Sequence, residues 1–368
     1  MPVNWGSRLK KRIFLMRPYV GKEELLSIRS VFKSKFLSEG EVTKKFERNL
    51  SRYVKARYAI ATTSATTALH TALESMYIKK KRVLVSDFTF PATVLVINLA
   101  GGIPVLIDVE KDTMNVSREI VEDAADSKTE YVLPVSLFGN PLEKKFYDIK
   151  KNGIKIIEDA ATNLGTKIGN DYVGSLADIT CFSFHPRKII TTGEGGMITT
   201  NSKDLSEKCR AFKTFGKVEN EFIEHGTNYK LSDILSAIGI EQLKRIEWII
   251  RRRQEMSKIY AELLSKLDFV EIQRKTPNSR HTYQSFVCYF TKQNLRDKIK
   301  KKLTSENVET QIGTYALHCL PAFRKCLKKG ELKNSEFLYK NSLSLPLHEE
   351  LTQEDQEFIC KVIKNMSS

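Results

Sequence analysis

Three closely spaced stretches decide the fold of this chain: IIEDAATNLG at residues 156–165, GSLAD at 174–178 and FSFHPRKIITTGEGG at 182–196. The first and third stretches each contain a short apolar run typical of a buried strand. Asp159 follows one run, and Lys188 stands in a turn after the other, ahead of a glycine-rich loop. Because open α/β sheets bind ligands at the carboxyl ends of their strands, we expect both side chains at one sheet edge.

A lysine and an aspartate at one sheet edge are the two groups that a pyridoxal phosphate enzyme needs. The lysine forms a Schiff base with the cofactor, and the aspartate keeps the pyridine nitrogen protonated. On these residues alone, ordinary interpretations stay open. A lysine in a turn is usually a surface charge, and an aspartate after a strand is often a helix cap.

The pattern of the whole chain predicts an α/β fold. Apolar runs that predict strands stand at 58–62, 82–85, 103–107, 131–135, 155–157, 179–184 and 197–200. Helical patterns stand at 22–36, 41–54, 66–77 and 143–151, in one long run from 230 to about 264, and at 295–303 and 352–363. Helices between strands imply βαβ units and a mostly parallel sheet. A change of pattern near Trp248 predicts a large domain with N-terminal helices at 1–245 and a smaller α+β domain at 246–368.

Composition narrows the class of protein further. The 368 residues include 60 Lys and Arg against 44 Asp and Glu, a net charge of +16 that favours an anionic partner such as phosphate, nucleotide, nucleic acid or anionic lipid. The six cysteines form no CxxC pair, and no His, Cys and Asp residues have metal-ligand spacing, so we expect no zinc ribbon, disulfide scaffold or metal site. We expect a reducing cytoplasmic location.

No membrane segment is expected from the sequence. The basic start of the chain, residues 1–14, is not followed by the apolar region of a secretory signal. The uncharged stretch 88–107 is interrupted by Pro91, Asn98 and a Gly101-Gly102 pair, which predict a short helix, a turn and a strand.

Ten motifs in order resemble the DegT/DnrJ/EryC1/StrS family of pyridoxal-phosphate-dependent sugar aminotransferases, and the resemblance runs from about Ile13 to Ile363. They are SKFLSEG (34–40), SATTALH (64–70), DFTFPAT (87–93), PVSLFG (134–139), EDAA (158–161), SFHPRK (183–188), GEGG (193–196), NYK (228–230), GTYALH (313–318) and LSLPLH (343–348). The resemblance implies the type I, aspartate aminotransferase-like fold, with a large sheet domain and a smaller C-terminal domain.

The resemblance also implies the catalytic roles. Lys188 would bind the cofactor and then move the proton between the substrate and the cofactor, and Asp159 would pair with the pyridine nitrogen. Phe90 would stack on the ring, although by itself it could be a core aromatic. Thr162 would lie near the 3-oxygen of the cofactor, where the family usually has Gln or His, so a water bridge could be needed.

The phosphate of the cofactor would be held by four residues. Ala65 and Thr66 open a helix directly after a strand, where free backbone N–H groups favour an anion. The resemblance adds Ser183 and, from a neighbouring subunit, Asn228. Without it, Thr66 could be an N-cap and Asn228 a turn residue. Ala65 replaces the usual glycine, which requires a negative φ at this position.

Three residues are candidates for the substrate side of the site: His185, Tyr315 and His318. For His185, a structural role is equally open. In the family motif NYR, this chain has Lys230 instead of arginine, which keeps the charge and loses the bidentate fork.

The resemblance implies a homodimer with shared active sites that aminates a keto-sugar on a nucleoside diphosphate, with L-glutamate as the amino donor. A sugar dehydratase of the same fold is an alternative, but such relatives replace the Schiff-base lysine with histidine, and this chain has Lys188. A basic regulatory protein that binds nucleic acid is a second alternative, suggested by the net charge and by Arg251–Arg253. We expect that arginine run to be a solvated helix face.

Overall fold

The computed structural model describes residues 11–366, so the first ten residues and the last two lie outside the described range. The α-helices of the described residues are Lys22–Ser34 (α1), Glu41–Val54 (α2), Ala65–Ser75 (α3), Ala92–Leu99 (α4), Arg118–Ala124 (α5), Lys203–Lys213 (α6), Asp233–Lys244 (α7), Ile246–Leu264 (α8), Leu295–Ser305 (α9), Lys333–Asn341 (α10) and Gln353–Lys364 (α11). Short 3₁₀ helices are Lys144–Asn152, Leu317–Cys319 and Pro321–Phe323.

The strands of the described residues fall where the apolar runs predict them, with shorter ones between. They are Tyr58–Thr62 (β1), Arg82–Ser86 (β2), Phe88–Thr89 (β3), Ile103–Ile107 (β4), Thr129–Leu133 (β5), Lys155–Asp159 (β6), Lys167–Ile168 (β7), Asp171–Tyr172 (β8), Ile179–Ser183 (β9), Gly196–Thr200 (β10), Lys217–Val218 (β11), Glu221–Phe222 (β12), Val270–Ile272 (β13), Ser279–Arg280 (β14), Phe286–Phe290 (β15), Gln311–Ile312 (β16), Tyr315–Ala316 (β17), Leu327–Lys328 (β18) and Ser342–Leu345 (β19).

A large central sheet positions the site. Its eight strands follow the order β1-β10-β9-β6-β5-β2-β4-β18. Only β10 runs against its neighbours, and every neighbouring pair from β9 to β18 is parallel. The predicted mostly parallel sheet and α/β class are therefore confirmed. Because β1 and the strands from β9 to β4 point the same way, the loops at their carboxyl ends meet at one edge.

The helices cover the sheet because their apolar residues recur on one face. In α2, for example, Phe46, Leu50 and Val54 are each four residues apart and fully buried in a core that also contains Phe182 of β9. The helix ends at Val54 because Lys55 adopts the left-handed conformation with φ 57°.

A second, antiparallel sheet forms the smaller C-terminal part of the molecule. Its strand order is β13-β15-β19-β16, and its core includes residues of α8, α9 and α11. Ile13, near the N-terminus, packs in this core and pairs with Val308. Helix α8 contributes to both cores, through Ile246 to the large one and through Tyr260 to the small one. The domain boundary after residue 245 stays a prediction.

Two predicted helices differ from the observed ones. The long pattern from residue 230 is divided into α7 and α8 at Arg245, whose ψ of 3° departs from the helical value. Arg245 pairs with Glu23 and Glu24 of α1 at 3.3 and 3.2 Å. The predicted crossover helix at 143–151 is a 3₁₀ helix that begins at Lys144 and ends before Gly153, which has a φ of 80°.

The expectation that Arg251–Arg253 is a solvated face is wrong for its last residue. Arg251 is exposed, but Arg253 is 1% exposed. Its guanidinium pairs with Glu349 at 2.7 Å and donates to the carbonyl oxygen of Gln284 at 2.8 Å. Each residue along a helix points about 100° away from the last, so Arg251 and Arg253, two residues apart, lie on nearly opposite faces of α8.

Candidate active site

The carboxyl ends of the central strands open into a cavity of about 570 Å³. Asp159 is the last residue of β6, and Ser183 is the last residue of the adjacent parallel strand β9. Both line the cavity, together with Lys188 from the turn after β9. The structure therefore brings together the lysine and the aspartate that the sequence placed at one sheet edge.

Asp159 is held rigidly. It is 5% exposed, and its Oδ2 accepts a hydrogen bond from the Thr93 hydroxyl at 2.8 Å, while Oδ1 accepts from the backbone N–H of Ala161 at 3.1 Å. Each carboxylate oxygen can accept more than one hydrogen bond, so capacity remains for a protonated ring nitrogen.

Lys188 stands in a turn that its backbone N–H closes by donating to the carbonyl oxygen of His185 at 2.9 Å. Within residues 11–366, its Nζ forms no hydrogen bond and no ion pair. Burial lowers the pKa of Lys188 below the ordinary value of 10.5, the charge of Asp159 opposes this, and the charge of Arg187 adds to it. An amine with a lowered pKa is the state that nucleophilic and acid/base chemistry requires.

Asp159 shows the complementary shift. Burial raises the pKa of its carboxyl group, while the hydrogen bonds from Thr93 and Ala161 and the charge of Lys188 lower it. The net shift of the Asp159 pKa is upward, so burial outweighs these partners in the folded chain, and a cation at the free lone pairs would stabilise the carboxylate.

The start of α3 forms an anion-binding corner. Ser64, not Thr66, is the N-cap, because its hydroxyl accepts from the N–H of Thr67 at 3.1 Å. The N–H groups of Ala65 and Thr66, which line the cavity, have no acceptor among the described residues. Unsatisfied N–H groups at a helix start favour a phosphate. Ala65 is absent from the positive-φ residues, so its side chain is tolerated here.

A glycine keeps this corner open. Gly196 begins β10, and a Cβ atom on it would stand 2.2 Å from the carbonyl oxygen of Ser64. Only glycine allows β10 to pass so close to the start of α3. Ser183 of β9 lies directly opposite Gly196 in the pairing of β9 with β10. Its hydroxyl accepts a hydrogen bond from the N–H of His185 at 3.3 Å.

Aromatic side chains form one wall of the cavity. Phe90 is 61% exposed, so it is not the core aromatic that its sequence also allowed, and its ring centroid lies 6.4 Å from that of Tyr315. Tyr315 is held opposite Thr89 by the pairing of β17 with β3. Thr162 also lines the cavity, but its hydroxyl donates to the carbonyl oxygen of Ser136 at 2.8 Å, so toward a ligand it can only accept.

His185 lines the cavity as well, and its Nδ1 accepts from the N–H of Arg187 at 3.2 Å. Burial lowers the pKa of His185. His318, expected on the substrate side, does not line the cavity. Its Nδ1 lies 2.6 Å from Oδ2 of Asp87, so this contact joins the residue just before β3 to the short 3₁₀ helix that follows β17.

Asn228 also lies outside the cavity of its own chain. It is exposed, and its side chain forms no hydrogen bond within the described residues. The adjacent Tyr229 is anchored, because its hydroxyl lies 3.0 Å from Nδ1 of His70 in α3 and its carbonyl oxygen accepts from Thr63.

Sequence reasoning missed four residues that the structure brings to the site. Thr93 stands in a quoted motif, and its position three residues after Phe90 at the start of α4 was a usable signal. For Arg187, the usable signal was its position directly before Lys188 in the motif SFHPRK. Gln311 of β16 and Gln284, two residues before β15, also line the cavity, and no local pattern in the sequence indicates that they do.

The residues present fit pyridoxal phosphate. The unpartnered amine of Lys188 can bind the cofactor, the carboxylate of Asp159 can pair with the ring nitrogen, and the free N–H groups at the start of α3 can bind the phosphate. In residues 11–366, no cluster of three His, Cys, Asp or Glu side chains is arranged to hold a metal ion. Within the same range, no helix is both long enough and apolar enough to span a membrane.

Comparison with known proteins agrees with this geometry. The model of the DegT/DnrJ/EryC1/StrS aminotransferase family matches residues 18–364. GDP-perosamine synthase of Escherichia coli O157:H7 is 31% identical, over 90% of this chain and 92% of its own. UDP-4-amino-4,6-dideoxy-N-acetyl-beta-L-altrosamine transaminase of Campylobacter jejuni is 30% identical, over 92% of this chain and 93% of its own. The crystal structure of the aminotransferase TlmJ from Streptoalloteichus hindustanus matches with a TM-score of 0.91 at 25% identity, over 96% of this chain and 98% of its own.

Proposed function

Since the chain belongs to the DegT/DnrJ/EryC1/StrS aminotransferase family, we propose that it moves an amino group from L-glutamate to a keto-sugar carried on a nucleoside diphosphate, with pyridoxal 5'-phosphate as its cofactor. The observation that carries this proposal is the unpartnered amine of Lys188 in the same cavity as the buried Asp159. The product would be an amino sugar for a cell-surface polysaccharide or a natural product.

When bound, pyridoxal phosphate supplies an electron sink that stabilises a carbanion at the substrate carbon. The chain supplies the rest. The Ala65 and Thr66 N–H groups and the Ser183 hydroxyl would bind the phosphate, and Phe90 would cover the ring. Asp159 would hold the proton on the ring nitrogen.

Lys188 would move the proton at the reacting carbon, in each half of the reaction. Its lowered pKa leaves a larger fraction of the amine unprotonated near neutral pH, which is the form that accepts a proton. Because Nζ has no hydrogen-bond partner in the described chain, it can move between the cofactor and the substrate without first breaking a contact.

The nucleotide part of the substrate is supported by the related proteins, whose names give GDP-linked and UDP-linked sugars. A net charge of +16 favours a diphosphate over a neutral sugar. The retained Lys188 argues for amination over the dehydratase alternative.

A two-step assay tests this function. We expect L-glutamate to remove the visible absorbance of the cofactor-loaded protein, and a nucleoside-diphosphate keto-sugar to restore it. The same sugar without its nucleotide serves as the control. If no nucleotide keto-sugar restores the absorbance while 2-oxoglutarate does, the proposed acceptor is wrong.

We also propose a homodimer with shared active sites, in which Asn228 reaches the phosphate of the partner's cofactor. Its exposed amide is consistent with this role, and the same loop presents Phe222 and Ile223, which are 70% and 61% exposed. Exposed apolar side chains grouped on one loop favour burial against a second chain.

Mixing two inactive variants should restore activity if the sites are shared. Lys188→Ala inactivates the site of its own subunit, and Asn228→Asp places a negative charge at the partner's phosphate. A hybrid dimer therefore has one doubly damaged site and one intact site, and we expect it to recover up to half of the wild-type rate per dimer. Subunit exchange is shown separately, by isolating the hybrid dimer from a mixture in which each variant carries a different affinity tag. With exchange shown, no recovery would place Asn228 in its own site, and a fully active monomer on gel filtration would end the proposal.

A cytoplasmic location remains part of the proposal. All six cysteines lie in the described residues, and all are free thiols. Six cysteines without a disulfide are consistent with a reducing compartment, because oxidising compartments favour disulfide formation.

A further inference from the structure

Arg187 stands out among the residues around the cavity. Of the described residues that line it, Lys188 is the one lysine and Arg187 the one arginine. Arg187 is exposed to the cavity and forms no ion pair within residues 11–366, although Asp159 and Glu194 line the same space. Arginine in a cleft without a carboxylate partner favours an anionic ligand.

Two glutamine side chains, at the start of β16 and just before β15, hold this arginine in position. Its backbone carbonyl oxygen accepts from Nε2 of Gln284 at 2.7 Å, and one terminal nitrogen of its guanidinium donates to Oε1 of Gln311 at 2.7 Å. Gln284 is 5% exposed, and its own carbonyl oxygen accepts from the buried Arg253 at 2.8 Å. The guanidinium is therefore anchored at one nitrogen, and its remaining N–H groups are available to a ligand.

Arg187 also acts on the reacting lysine. It directly precedes Lys188 in the turn, and its positive charge is one of the causes that lower the pKa of Lys188. Both side chains line the same cavity, so an anion bound at Arg187 would share that space with the place where an amino group enters or leaves.

The shape of the ligand follows from that proximity. In an amino acid, the carboxylate and the amine are bonded to the same carbon, whereas in a nucleotide sugar the ring separates the diphosphate from the reacting carbon. A planar guanidinium matches a planar carboxylate through two parallel hydrogen bonds. Within the proposed function, on which this step rests, we infer that Arg187 binds the α-carboxylate of the amino donor and selects for it.

The test compares Arg187→Gln with the wild type in binding and in each half-reaction. We expect the L-glutamate concentration that gives half of the maximal absorbance change to rise roughly 10-fold to 100-fold, the range for hydrogen bonds to a charged group. Arg187→Lys keeps the charge without the fork and should give a smaller rise. Arg118→Gln, which removes a surface pair with Glu122, is the matched control.

A binding measurement without turnover separates the possible outcomes. Calorimetric titration of the cofactor-free protein with glutarate, an unreactive dicarboxylate, should show weaker binding by Arg187→Gln, while UDP and GDP should bind as to wild type. Weaker nucleotide binding, or equal loss of both ligands, would overturn the inference. A wild-type protein that responds to no amino acid would instead refute the proposed function, and a wild type that responds together with an unaffected Arg187→Gln would refute only the role of Arg187.

Discussion

Replacing Lys188 with alanine is expected to lower turnover by roughly 10⁴-fold or more, the upper range for a positioned acid/base group. The loss should be this large because no second lysine among the described residues lines the cavity. The variant should also lack the absorbance band that the loaded wild type owes to the covalent bond between the cofactor and the Lys188 amine, since alanine cannot form that bond. The fold should survive, because burial disfavours the charge of this side chain.

Chemical labelling checks the assignment directly. Borohydride treatment of the loaded wild type, followed by peptide mapping, should place the cofactor on Lys188. Lys203→Ala is a suitable control, because its side chain is 77% exposed and makes only a surface pair with Glu207. A label on any other lysine, or near-normal turnover by Lys188→Ala, would contradict the central role of this residue.

Asp159→Asn should retain the cofactor yet lose turnover by roughly 10²-fold to 10³-fold, the range for one preorganised electrostatic partner. Asparagine can still accept from the Thr93 hydroxyl, so the local geometry should be kept. It has no charge, however, and cannot hold the proton on the ring nitrogen. The phosphate corner at Ala65 and Thr66 is untouched.

The two expectations for Asp159 are measured separately. Equilibrium titration with pyridoxal phosphate should give an affinity close to that of the wild type, and the rate of the L-glutamate half-reaction should fall. Asp204→Asn, at a carboxylate that is 67% exposed and pairs with Lys208 on α6, is the matched control. A half-reaction at the wild-type rate would show that Asp159 does not act on the cofactor.

The strands of the central sheet could be predicted because buried parallel strands carry their own signal. Runs such as 103–107 and 179–184 are apolar on both faces, and helical patterns separate them. Helix ends were less certain. The break at Arg245 follows no proline or glycine, and it coincides with ion pairs to Glu23 and Glu24, which are more than 200 positions away.

The single-residue signals were less reliable than the motifs. Arg253 is charged and stands in a basic run, yet it is buried because Glu349 and Gln284, from distant segments, satisfy its guanidinium. His318 stands in a quoted motif, but Asp87 holds it away from the cavity. Partners that are remote in sequence decide whether such polar side chains face a ligand or a neighbour.

The sequence by itself determined the family, the α/β class, and the placement of Asp159 and Lys188 at one sheet edge. These follow from local periodicity and from motifs that each stand within a few residues, because the direction of parallel strands brings their ends together. Only the tertiary structure decided that Thr93 holds Asp159, that Ser64 caps α3 and leaves Ala65 and Thr66 free, and that Gln284 and Gln311 anchor Arg187. Those contacts join segments of different elements, and their geometry depends on how the two sheets pack, which no local pattern encodes.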